Sequence, residues 1–81
     1  MIHLAVKRVS EDVCYAWPDG ESMPWVWHWC PAANGGEGRW VAQGTDRHTL
    51  VSREPLHLEP SLLYPCCGLH GFLRAGSWAD A

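Results

Sequence analysis

The chain has no basic stripe. Its 81 residues carry six Lys and Arg against nine Asp and Glu, a formal net charge of −3 with histidines neutral. The cations Lys7, Arg8, Arg39, Arg47, Arg53 and Arg74 are scattered. Without a run of them to neutralise successive phosphates, nucleic acid is disfavoured as a partner. Long apolar runs are missing as well. No segment approaches the roughly 18 apolar residues of a helical membrane span, so no membrane partner is expected. The opening Met1-Ile2-His3-Leu4-Ala5-Val6-Lys7-Arg8 places its charge after a short apolar stretch, the reverse of a secretory signal. The expected location is therefore the cytoplasm, where thiols stay reduced and cysteines favour metal over disulfide. Gly-rich phosphate loops, nucleophile elbows and paired-carboxylate motifs are absent. Asp46, Arg47, His48 and Glu54 fall in a polar stretch and read as solvating charges. No catalytic residue is assigned, and the chain is not read as an enzyme. Helical periodicity over three turns is lacking, as is any internal repeat.

What remains is β-strand patterning at a length that allows one domain, residues 1–81. Ile2, Leu4 and Val6 alternate with polar or small residues, the mark of a half-buried strand. Val13–Trp17 is a second β-favouring run. Pro18-Asp19-Gly20 supplies turn chemistry between it and Trp25–Cys30, so the two runs are expected to pair as a hairpin. Pro31–Gly38 is Gly-rich and reads as a flexible loop. Arg39–Gln43, Thr49–Val51, Leu56–Glu59 and Leu62–Tyr64 give further short strands. Phe72–Arg74 and Ser77–Trp78 flank Ala75-Gly76 as a closing hairpin. The expectation is a mainly β, small single-domain antiparallel sheet with long loops.

A domain this short buries only about 60–65% of its unfolded surface and is marginally stable without a staple. Four cysteines and five histidines offer one. Cys67 and His70 form a Cys-x-x-His beside Gly68 and Gly71, a thiolate and an imidazole of the kind zinc takes in a tetrahedron. His28 and Cys30 stand two apart in a strand and so share a face. Cys66, adjacent to Cys67, is the other candidate. The expected ligands are Cys30, Cys67 and His70, with His28 or Cys66 as the fourth. Cys14, in mid-strand, reads as core. Six tryptophans are many for this length. Trp25, Trp27 and Trp29 fall on one strand face, opposite His28 and Cys30. They form a candidate protein-binding surface, whereas Trp40 and Trp78 are assigned to the core.

Glu59-Pro60-Ser61-Leu62-Leu63, followed by Cys67-Gly68-Leu69-His70-Gly71-Phe72-Leu73-Arg74-Ala75-Gly76, resembles a family of small uncharacterised phage and prophage proteins. Trp29-Cys30-Pro31 and Arg39-Trp40 match its upstream part, so the resemblance covers roughly residues 27 to 78. It implies a zinc-ribbon-like β domain with Cys30, Cys67 and His70 as ligands. The family's second upstream cysteine would fall at Ala33, which cannot bind metal. The resemblance implies a phage accessory protein in the host cytoplasm, a binding module for a host protein and a possible inhibitor of a host or defence factor. The alternatives are a small metal-dependent hydrolase and a minor structural protein of the virion.

Overall fold

The computed structural model describes residues 6–81. The strand expected over Ile2, Leu4 and Val6 falls largely outside them. Among the described residues nine short strands follow in order: β1 (Lys7–Arg8), β2 (Val13–Ala16), β3 (Trp25–Cys30), β4 (Arg39–Gly44), β5 (Thr49–Ser52), β6 (His57–Glu59), β7 (Leu62–Tyr64), β8 (Leu69–Arg74) and β9 (Ser77–Asp80). All pairings among them are antiparallel. They make a four-stranded sheet β1-β2-β3-β4, a two-stranded sheet β5-β6 and a three-stranded sheet β7-β8-β9. This is the small antiparallel β architecture that the alternating pattern predicts. No helix among the described residues is long and apolar enough to cross a membrane.

The three sheets share one apolar centre. Val13, Tyr15 and Val26 come from the first sheet, Leu56 and Leu58 from the second strand of the middle pair and its lead-in, and Leu62, Tyr64 and Leu73 from the third. Strand alternation delivers them: β8 buries Gly71 and Leu73 while His70 and Arg74 stay exposed. Removing such side chains from water is the main favourable contribution to folding. The Gly76 N–H donates to the Leu56 carbonyl at 2.8 Å, which ties the β8–β9 hairpin to the middle sheet.

The stretch Pro31–Gly38, expected as a flexible loop, is a structured turn containing a single 3₁₀ turn over Asn34–Gly36. The Gly36 and Gly38 N–H groups both donate to the Ala33 carbonyl, at 3.2 and 2.9 Å. Positive φ at Gly35, Gly36 and Gly38 makes this path available, because glycine has no Cβ to clash there. The turn brings β4 back beside β3 in full register, with Trp29 opposite Trp40 and Cys30 opposite Arg39.

Candidate metal centre

Two hairpin ends meet to build the centre. The first is the end of β3. Its inward-facing residues are Val26, His28 and Cys30, while Trp25, Trp27 and Trp29 face out. His28 and Cys30 are each only 1% exposed. The second is the tight connection between β7 and β8. There the Cys67 and Gly68 N–H groups donate to the Tyr64 carbonyl at 3.3 and 2.8 Å. Gly68 takes φ +77°, a value that only glycine adopts readily. This turn places Cys66 at the surface and leaves Cys67 half-buried.

The ligand atoms of His28, Cys30, Cys66 and Cys67 all lie within 4.8 Å of one another. His28 Nε2 is 3.2 Å from Cys66 Sγ, Cys30 Sγ is 3.2 Å from Cys66 Sγ, and the Cys66 and Cys67 sulfurs are 4.0 Å apart. A tetrahedral ion with metal–sulfur bonds of about 2.3 Å needs sulfur–sulfur edges of about 3.8 Å. The observed separations bracket that edge. Three thiols and one imidazole can therefore hold a metal ion after small side-chain rotations.

The electrostatics suit ligation. Burial lowers the pKa of His28, with the Val41 backbone pulling weakly the other way. The ring is thereby kept neutral, the form that binds metal. The hydrogen bond from Cys66 holds the Cys30 thiol below its ordinary range, and the Ala32 and Ala33 backbone assists. The same contact with Cys30, then burial and the neighbouring Cys67, pushes the Cys66 thiol up to about 11.

The sequence-derived ligand set needs one correction. Cys30 and Cys67 are in the cluster, and both candidates for the fourth place, His28 and Cys66, are there together. His70 is not. The Cys-x-x-His spacing predicts His70 on the turn, but β8 begins at Leu69. Strand alternation then throws the His70 ring to the exposed side, opposite Leu63 in register, where Nε2 lies 2.8 Å from Ser61 Oγ. The Cys66 sulfur lies in the cluster, where Ala33 offers no ligand atom. Cys14 is buried as expected, in β2.

The tryptophans divide differently from expectation. Trp25 and Trp29 are 39% and 36% exposed, and Trp40, assigned to the core, is 37% exposed. Its register opposite Trp29 puts it on the same outer face, and the two rings meet edge to face at 5.8 Å. Arg8 sits over Trp40 at 5.3 Å from the ring centroid. Arg8, Cys14, Trp27 and Ala42 form a registered row across the four strands. An open cavity of about 460 Å³ on this face is lined by Val6, Arg8, Cys14, Trp27 and Trp40. The half-buried Trp78 packs against the core and donates from Nε1 to Asp80 at 2.8 Å. Comparison of this chain with protein-family models, with curated proteins and with solved structures returns no match.

Proposed function

We propose that the protein is a zinc-stapled β module that binds another protein through its tryptophan face. The observation that carries the metal half is the convergence of four ligand atoms within 4.8 Å. They come from two hairpin ends distant in sequence. Three sulfurs and one imidazole form a donor set that suits zinc. Four protein ligands fill a tetrahedron, the arrangement of a structural site, whereas catalytic zinc keeps one position open for water or substrate. The ligand count thus weighs against the hydrolase alternative. Zinc joining β3 to the β7–β8 turn would lock the first sheet onto the third, the contribution a core this small most needs.

The outer face of the first sheet supports the binding half. Trp25, Trp29 and Trp40 are partly exposed on this face, which also carries an apolar cavity lined by Trp27 and Trp40 and rimmed by Arg8. Tryptophan and arginine are the side chains most enriched among interface hot spots. The resemblance over residues 27 to 78 makes a host protein the proposed partner and the host cytoplasm the proposed location, as for a phage accessory protein that engages a host or defence factor. The test is affinity capture from host lysate with wild-type protein and with Trp40→Ala and Trp25→Ala. One host protein should be retained by wild type and lost at least tenfold in a variant with an unchanged melting transition. Equal capture by wild type and both folded variants would contradict the reading.

A further inference from the structure

The three cysteines of the cluster differ in their exposure: Cys66 is exposed, Cys67 half-buried and Cys30 buried, while the fourth cysteine, Cys14, lies apart in β2. The shortest sulfur–sulfur contact pairs the most accessible with a buried one, Cys66 with Cys30 at 3.2 Å. The neighbouring Cys66–Cys67 contact is longer, 4.0 Å. A disulfide between adjacent residues must also close a strained small ring through the peptide bond between them, so geometry favours the Cys30–Cys66 pair. All four cysteines are free thiols in this structure.

We propose that Cys66 and Cys30 are a peroxide-oxidation site, giving a covalent closure of the same two hairpin ends that the metal would join. Cys66, the accessible sulfur, gives up its thiol proton to solvent and attacks one oxygen of hydrogen peroxide. The O–O bond breaks, Cys66 becomes a sulfenic acid, and hydroxide leaves. The Cys30 thiolate then attacks the Cys66 sulfur. The S–S bond forms, the S–O bond breaks, and a second hydroxide leaves. Two thiolates have lost two electrons and the peroxide has gained them. The metal and the disulfide use the same sulfurs, so they are mutually exclusive staples of one joint. This inference concerns the site of the proposed zinc but stands on the sulfur positions alone.

The experiment uses protein as purified, whose metal content is measured first and decides the metal reading by itself. It is treated with hydrogen peroxide, alkylated and digested with trypsin without reduction. One tryptic fragment holds Cys14 and Cys30 and another holds Cys66 and Cys67, so fragment spectra assign the bonded sulfurs. Free thiols should fall from four to two, with Cys14 and Cys67 still alkylated and Cys30 linked to Cys66. Cys67→Ser should give the same link. Oxidised protein should keep its melting transition in the presence of a chelator and lose it on reduction. A Cys66–Cys67 or Cys30–Cys67 link overturns the proposal. Over-oxidation of Cys66 while Cys30 remains a free thiol overturns it equally.

Discussion

The His28 ring stacks on the Tyr64 ring, with centroids 3.9 Å apart and planes 24° from parallel. One residue belongs to the strand that carries Cys30, the other to the strand that leads into Cys66 and Cys67. The stack thus aligns the two ligand-bearing segments before any metal arrives. It also fixes the imidazole plane, which a ligating histidine requires of its surroundings.

Tyr64 performs this with its ring, since its hydroxyl is buried and has no hydrogen-bond partner among the described residues. A buried unpaired hydroxyl costs about 1–3 kcal/mol. Tyr64→Phe is therefore expected to match or exceed the wild type in stability by chemical denaturation. Tyr64→Ala removes the ring and leaves a cavity, and should cost about 3–5 kcal/mol. A clear loss of stability in Tyr64→Phe would show that the hydroxyl has a partner after all.

Glu59 accepts two hydrogen bonds from Arg74, at 3.0 and 3.1 Å, and one from His57 at 3.2 Å. The Arg74 bonds, then that of His57, hold its carboxyl below the ordinary value of 4.5. A depressed carboxyl favours the fold when ionised. Its contribution is complete above pH 4.5 and is lost as pH falls through the lower folded-state value. Glu59→Gln should flatten that acid limb of the stability curve and change little in the slope at neutral pH. An acid limb identical in the variant would show that other carboxyls set it.

Gly71 sits in β8 beneath Trp78. A Cβ there would come within 2.6 Å of both the Trp78 ring and the Ala79 carbonyl oxygen. The backbone oxygen cannot swing aside, so Gly71→Ala should destabilise the protein by about 1–3 kcal/mol. A drop in the unfolding midpoint checks this, together with a change in tryptophan fluorescence. An unchanged midpoint would mean that the β8–β9 hairpin yields at little cost.

His70→Ala separates the two ligand sets. The ring is exposed and bonded to Ser61, so its loss should cost less than about 1 kcal/mol and leave metal binding intact. His28→Ala, at a site 1% exposed, should lower metal affinity and stability together. The opposite ranking by metal titration would restore His70 as a ligand.

Most strands were legible in the sequence because their patterning is local. Trp25–Cys30 alternates so strongly that both of its faces follow from period two. The His28–Cys30 pair could be named for the same reason. The His70 assignment failed because Cys-x-x-His spacing does not say where a turn ends and a strand begins. One residue of difference in that boundary reverses the face. Trp40 was misplaced because its environment depends on register with β3, a relation between segments that composition does not encode. The entry of both Cys66 and His28 into one cluster likewise needs the meeting of two hairpins.

A metal held by His28, Cys30, Cys66 and Cys67 would be seen first in the metal stoichiometry of the purified protein. Protein purified without chelators, by elemental analysis alongside protein concentration, is predicted to contain one equivalent of zinc per chain. His70→Ala should keep that equivalent, and Cys30→Ser should lose it. Wild-type protein with less than about a tenth of an equivalent, after exposure to zinc and removal of the excess, would contradict the account.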